Sequence, residues 1–278
     1  MKTVSPRYAG WLAPLSPAIL ILALGFVAVE APGQGADAPH CGAALGLAPT
    51  VQGQELTEHL DVLSWNIQKA SNLGWETDLA EMASEVNLAF IQEAKLEAQI
   101  PDVIPSTLYQ AFAAGYTTDT QRTGVLTLSS SSPNLRCNLT HWEPWLGTPK
   151  ATSVTEFLLS GREERLLAIN LHAVNFAVGL VSYEQQLRSL ADLLASHQGP
   201  AILAGDFNTW SAARQDLVDN ILGEHGMHAV EFQPDLRTTA FGRALDHIYV
   251  RGLEASFSEV VPVSSSDHNP LRARFKLI

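Results

Sequence analysis

With 278 residues, 46% of them hydrophobic and 17% charged, the chain can bury a large core and is not a disordered polymer. A net charge of −12 opposes long-range attraction to a phosphate backbone, so non-specific duplex binding is disfavoured, although a divalent cation or a local basic rim could still support a nuclease. CxxC, HExxH, Walker and GxSxG arrangements are absent from the sequence, which removes several common chemistries.

Residues 8–29 carry no charge and contain the apolar run "AILILALGFVAV". This run has the length of a signal-peptide core, and the whole uncharged stretch approaches the ~20 residues that span a bilayer. Residues 1–30 are therefore predicted to be a signal or membrane anchor, and the protein to be exported or membrane-anchored, extracytoplasmic or periplasmic in a bacterium. Residues 31–57 are small, contain Pro and Gly and lack a period, as expected of a flexible linker. The chain has two cysteines, Cys41 in this stretch and Cys137 far beyond it, either paired in an oxidising compartment or two free thiols.

From residue 58 onward, apolar runs alternate with amphipathic ones. "HLDVLSWNIQ" reads as a strand ending at Asn66, and "TDLAEMASEV" as a helix with Leu79, Met82, Ala83 and Val86 on one stripe. "NLAFIQEA" reads as a strand ending at Glu93, and "ERLLAINLHAVN" as one ending at His172 and Asn175. "SYEQQLRSLADLLASH" reads as a helix with Ser182 and Gln185 in capping-box spacing, followed by the strand "AILAGDFN". "TGVLTLSS", "ATSVTEFLLS", "ALDHIYVRG", "FSEVVPV" and "PLRARFKLI" supply further strands. Strands outnumber helices, so the expected fold is α/β: a four-layer sandwich in which two mixed sheets pack face to face with helices outside, forming one domain over residues 58–278.

Polar residues collect where these strands end: Asn66, Glu93, His172, Asn175, Asp206, Asn208, Asp246, Asp267 and His268. Each alone has a structural explanation. Asp206-x-Asn208 can be a turn, Glu93 an ion-pair partner, His172 a satisfied core histidine and Asp246 a cap. Together they are a poor coincidence, because ligand-binding groups of open α/β sheets cluster at strand ends. Strand alternation predicts that Asp206 and Asn208 converge, and that His247 points away from the face of Asp246.

"WNIQ", "IQEA", "AGDFN", "LDHIYV" and "SDHNP", in that order, resemble the endonuclease/exonuclease/phosphatase superfamily of type I deoxyribonuclease, exonuclease III, neutral sphingomyelinases and inositol-polyphosphate 5-phosphatases. "INLHAVNFAVG" and "FGRALD" resemble its bacterial YafD-like branch. The resemblance implies a DNase I-like fold and hydrolysis of a phosphoester, most readily a phosphodiester, with Mg²⁺ or, alternatively, Mn²⁺. It implies that Asn66, Glu93 and Asp267 hold the metal and that Asp206 activates the water. Asn208 would help position water and phosphate, His268 would contact the phosphate with its ring fixed by Asp246, and His172 would be a further phosphate contact. Asn175, Lys69 and Arg122 would bind substrate. Many members carry a second acid where this chain has Gln68, so the second metal site of the first strand is not expected. The substrate classes left open are a phospholipid, an inositol phosphate or a nucleic acid, the last needing a basic rim from Lys69, Lys95, Arg122, Lys150 and Arg243. A non-catalytic binding module on the same fold is the alternative from another class, and a monomer is expected.

Overall fold

Strands that are apolar on both faces must be covered on both faces, and the long apolar runs accordingly become the inner strands of two sheets. The computed structural model describes residues 38–47, 54–177 and 179–278; the apolar segment expected over residues 1–30 lies outside them, as do residues 31–37 and 48–53 of the expected linker. In chain order the elements are α1 (Ala38–Ala44), β1 (His59–Asn66), α2 (Trp75–Ala83), β2 (Leu88–Lys95), β3 (Tyr109–Thr117), β4 (Arg122–Ser129), β5 (Leu135–Trp142), β6 (Pro149–Leu158) and β7 (Arg165–His172). There follow α3 (Val181–Ser196), β8 (Ala201–Asp206), α4 (Ala212–Gly223), β9 (His228–Ala229), β10 (Thr239–Ala240), β11 (Arg243–Ala244), β12 (Asp246–Arg251), β13 (Leu253–Val260) and β14 (Leu271–Leu277).

One six-stranded sheet runs β13-β14-β1-β2-β4-β3 and the other β5-β6-β7-β8-β12-β9, while β10 and β11 form a separate hairpin. Val62, Phe90, Phe157, Ile202, Ile248 and Phe275 fill the space between the sheets. Leu63, Trp65, Leu79 and Met82 seal α2 onto the outer face of the first sheet, and Leu167, Ile169, Leu187, Leu190 and Val218 seal α3 and α4 onto the second. This is the expected four-layer sandwich. A buried polar link also crosses between the sheets: Gln92 Nε2 donates to Asn170 Oδ1 at 2.8 Å, and Asn170 Nδ2 donates to Leu126 O at 3.1 Å. Buried amides that bond one another in this way fix the lateral register of the two layers.

The structure differs from the expectations at four places. The linker is not featureless: α1 carries Cys41, fully buried in the core beneath α3, and Cys41 forms a disulfide with Cys137 of β5, with Cα atoms 5.9 Å apart. Strand β2 does not end at Glu93 but continues to Lys95 through a bulge. Helix α3 starts at Val181 after Leu180, with no side-chain cap, so Ser182 lies inside the helix and no capping box forms. Strand β8 ends at Asp206, so Asn208 is not placed by strand alternation.

The disulfide bridges 96 residues of sequence, and closing so long a loop restricts the unfolded chain strongly. Cys137→Ser is expected to lower unfolding stability by about 2–4 kcal/mol in urea titration, with Cys41→Ser giving the same loss and the double variant no more than either.

Candidate active site

Strand register builds one side of the site. His172 at the end of β7 pairs with Asp206 at the end of parallel β8, and Asp206 pairs in turn with Asp246 at the start of antiparallel β12. Side chains of directly paired residues share a face, so these three groups stand in a row. Gly205 lets β8 lie this close to β7, since a Cβ there would overlap the Leu171 carbonyl oxygen. Asp206 Oδ1 accepts the Asn208 N–H at 3.0 Å, and its Oδ2 accepts Asn66 Nδ2 from the opposite sheet at 3.1 Å.

Two carboxylates side by side repel, and the 265–268 loop supplies the compensating charge. His268 Nδ1 lies 2.7 Å from Asp246 Oδ2. The loop is tied to the end of β1: Trp65 Nε1 donates to His268 O at 2.9 Å and Ser266 Oγ to Asn66 O at 2.6 Å. Burial works against a charged imidazole, but the Asp246 charge and hydrogen bond, followed by Asp206 and Asp267, outweigh it and push His268 up to about 10. Burial and then the Asp246 charge push the Asp206 carboxyl up to about 6, against His268, Lys150 and the Asn208 amide. His172 moves the other way. Burial, then Lys150, His268 and Lys69, hold its imidazole well below the usual range. Its Nε2 receives Lys150 Nζ at 2.8 Å, so the neutral ring carries its proton on Nδ1.

Facing this row across a cavity of about 440 Å³ is Glu93, at the bulge in β2 with φ of 50°. Its Oε1 lies 3.9 Å from His172 Nε2 and its Oε2 3.6 Å from Lys69 Nζ. Lys69 reaches it because Gln68, Lys69 and Ala70 all take left-handed conformations, with φ of 48°, 59° and 54°. Asn208, with φ of 52°, is left-handed too. Such conformations cost about 1 kcal/mol or more each for residues other than glycine, and three of these residues, Lys69, Glu93 and Asn208, line the one cavity, as strain does at functional sites. Gln68 itself is turned onto Asn72, whose Nδ2 donates to its Oε1 at 2.7 Å.

The cavity thus brings together Glu93, His172, Asn175, Asp206, Asn208, Asp267 and His268 with Lys69, and Asp246 stands directly behind His268. Asn66 is buried against Asp206, and its Oδ1 accepts the Gln68 N–H at 3.0 Å. Arg122 is not brought in: its guanidinium Nε lies 3.3 Å from Glu97 Oε1 on the surface. Lys95 and Arg243 do not line the cavity either, whereas Lys150 does. The convergence expected for Asp206 and Asn208 takes the form of a turn in which the Asn208 backbone N–H, not its side chain, meets the carboxylate. The Asn208 amide Nδ2 donates instead to Ala173 O at 3.0 Å.

Two supporting residues carry no sequence signal of their kind. Buried Glu143 accepts the Asn175 N–H at 2.9 Å and the Phe176 N–H at 3.3 Å, with Lys150 Nζ 3.7 Å away. Burial pushes its carboxyl up, but the Thr148 hydroxyl, the Lys150 charge and those two amides hold it below the usual value. Arg214, fully buried on α4, lies over Tyr183 at 4.4 Å and Trp210 at 4.5 Å and donates to Val174 O, Asn175 O and Asn208 O at 2.9, 2.8 and 3.0 Å. One guanidinium therefore fastens the loops after β7 and β8, which carry Asn175 and Asn208, to each other.

Residues 63–268 match the model of the Endonuclease/Exonuclease/phosphatase family. The chain belongs to that family. A UPF0294 protein of Vibrio cholerae is 39% identical over 236 residues, covering 83% of this chain and 82% of its own, in keeping with the YafD-like branch. Among solved structures, ANGEL2, a 2′,3′-cyclic phosphatase, superposes with a TM-score of 0.61 at 14% identity, over 79% of this chain and 95% of its own. The mannosyl-6-phosphatase Bt3783 of Bacteroides thetaiotaomicron does so with 0.58 at 16% identity, over 79% and 99%. At such identity these structures establish the DNase I-like fold alone. Members of the endonuclease/exonuclease/phosphatase family are generally phosphoester hydrolases that use divalent metals.

Proposed function

We propose that the chain hydrolyses a phosphodiester with a divalent cation, Mg²⁺ in the first instance, and that Asp206 is the base. The observation that carries this reading is the in-register row His172, Asp206 and Asp246, completed by the Asp246–His268 pair and opposed by Glu93 across one cavity.

The donor set fits a hard cation. Among the described residues, the group of three acidic or imidazole ligands lying within 4.8 Å of one another is Asp206, Asp246 and His268, but its His268–Asp246 hydrogen bond makes it a charge pair rather than a set of free ligands. The carboxylate oxygens of Glu93 and Asp267 on the cavity wall, and the Asn66 amide oxygen, which also accepts the Gln68 N–H, are of the type a hard cation prefers. Burial first, and then the Asp246 charge, raises the Asp206 carboxyl to about 6, and a cation nearby would offset the second of these. Glu93, Asn66 and Asp267 would hold it, and when bound it would draw charge from the phosphoryl oxygens.

The chain's own residues supply the rest. Asp206, fixed by Asn66 and Asn208, takes a proton from the attacking water; the water oxygen bonds to phosphorus, the ester P–O bond breaks, and the departing alcohol gains a proton from solvent. Charged His268, together with Lys150 and Lys69, donates to the phosphoryl oxygens as their charge grows. Neutral His172 can accept or donate without adding charge. The basic rim shrinks to Lys69 and Lys150, which does not favour a long nucleic-acid track.

The test uses bis(p-nitrophenyl) phosphate with Mg²⁺ or chelator. Turnover is expected to need the metal, and Glu93→Gln is expected to raise the Mg²⁺ concentration for half-maximal rate by about tenfold or more while leaving urea unfolding nearly unchanged. Metal-independent turnover, or an unaltered Mg²⁺ requirement in Glu93→Gln, would refute the assignment.

A further inference from the structure

Beside the catalytic cavity the surface is unusually apolar. Trp145 and Leu146 on the β5–β6 connection are 71% and 58% exposed, Phe176 after β7 is 55% exposed, and Phe241 at the tip of the β10–β11 hairpin is 90% exposed. Val181 opens α3 at 67% exposure. Trp145, Phe176, Trp210, Phe241 and Leu245 line a cleft of about 450 Å³ without an ionisable side chain, and it shares Asn175, Phe176, Asn208 and Leu245 with the catalytic cavity. The sequence from Asn175 to Val181, "NFAVGLV", contains no charge. Large exposed apolar groups from three separate loops, Trp145 with Leu146, Phe176 and Phe241, thus ring one mouth, whereas exposed apolar residues of soluble proteins are normally scattered singly.

Phe241 is held there at a cost. It has φ of 51° and precedes Gly242 at 76°, the two positions of a tight hairpin turn that favour Asn and Gly. A bulky aromatic in that conformation is rare. It presents almost the whole ring to water, and nothing in the core requires it.

We infer that this rim docks the catalytic mouth onto a lipid bilayer, so that the substrate of the proposed hydrolysis is the phosphoester of a lipid headgroup; the substrate part of this inference rests on the proposed function, the docking part does not. A pocket for a planar base would enclose its aromatic rings, but here Trp145 and Phe241 stay 71% and 90% exposed. The net charge of −12 argues against a polyanion and against attraction to anionic lipid as the driving force. A membrane interface accepts aromatic rings from several loops without demanding shape complementarity, and Trp and Phe are the residues that partition there. The uncharged sequence of residues 8–29 independently suits a protein working at a membrane.

The experiment uses the full chain with Trp11→Phe, which removes the fluorophore of the N-terminal apolar segment. Vesicles of brominated phosphatidylcholine are expected to quench its tryptophan emission, and adding Trp145→Phe is expected to cut that quenching by about twofold or more, because the remaining ring docks without reporting. Unquenched emission in the Trp11→Phe protein overturns the docking. Trp145→Ala with Phe241→Asn, which keeps a residue suited to the turn, is expected to lower hydrolysis of phosphatidylcholine in vesicles by about tenfold relative to hydrolysis of bis(p-nitrophenyl) phosphate. An equal change in both rates overturns the substrate assignment, as does wild-type protein that hydrolyses the aryl ester or an oligonucleotide but no vesicle lipid. A dimer that dissociates in the double variant, without vesicle binding by the wild type, would show that a second copy covers the rim. Wild type that docks but hydrolyses neither ester would sink the proposed function and leave the docking standing.

Discussion

Asp206→Asn is expected to lower turnover about 10³-fold or more and at the same time to raise unfolding stability by about 1–2 kcal/mol at pH 8. The first effect follows from the loss of the base of the proposed reaction. The second follows from the position of the carboxylate, which is buried beside Asp246 and pushed up from 3.8 to about 6. A carboxyl whose folded value is raised costs the fold nothing below the unfolded value, and the cost grows as pH rises through about 6, so it is in full force at pH 8. Asparagine removes that charge but offers one oxygen where Asp206 uses two, for Asn208 N–H and Asn66 Nδ2, and the broken bond returns about 1 kcal/mol of the gain. Urea titrations at pH 4 and pH 8 check the sign: the stabilisation is expected at pH 8 and expected to shrink or reverse at pH 4. A variant less stable than wild type at pH 8 would mean that the carboxylate's hydrogen bonds outweigh its burial and repulsion.

Much of this arrangement is legible in the sequence, for a physical reason. Strands buried on both faces, such as β1, β7, β8 and β12, announce themselves as apolar runs, and polar residues at their ends then stand out against that background. What stays hidden is whatever depends on register or on partners far away in sequence. Strands β3 and β5 lie at sheet edges, with mixed burial that gives no clean alternation. Helix α4 presents Arg214 among its buried residues, so its apolar stripe is interrupted by the very group that fastens the loops. Helix α1 has only 7 residues and buries Cys41 through a partner 96 residues away. Glu143 lies in "HWEPW", outside every run that reads as a strand or helix, and Lys150 reads as one rim cation among several until β6 is paired with β7 and sets it against His172. The bulge at Glu93 shows the same limit. Alternation alone assigns Gln92 and Glu93 to opposite faces of a regular strand, but not that an irregularity there sends one between the sheets to Asn170 and the other into the cavity.

Asp246→Asn tests the phosphate side of the site, and it is expected to lower turnover by about 10²–10³-fold at pH 8 with the fold intact. Asp246 acts through His268. Its charge and its hydrogen bond at 2.7 Å are the foremost of the influences that raise His268 to about 10 against burial. In wild type the imidazolium therefore persists across the neutral range, and the stability its pair provides is fully present below the unfolded value of 6.5 and lost as pH rises through about 10. Rate is expected to fall at the alkaline end with that same group. With asparagine at 246 the burial remains while the foremost compensating charge is gone and those of Asp206 and Asp267 are left, so the ring deprotonates at lower pH and the alkaline limb moves down. Part of the lost turnover should return as pH is lowered toward 6, a recovery that a merely damaged fold would not show. His247 supplies the control. It neighbours Asp246 but faces the other side of β12, where its Nε2 meets Thr209 Oγ1 at 2.7 Å, its Nδ1 meets Arg237 at 3.0 Å and its ring packs edge-on against Phe207. Burial and then Arg237 depress it to about 3, so it is a neutral core residue. His247→Ala is expected to cost about 2–3 kcal/mol of stability through the lost packing and hydrogen bonds, with the pH profile of the surviving activity unchanged. An unshifted alkaline limb in Asp246→Asn, or a shifted one in His247→Ala, would place the control of His268 elsewhere.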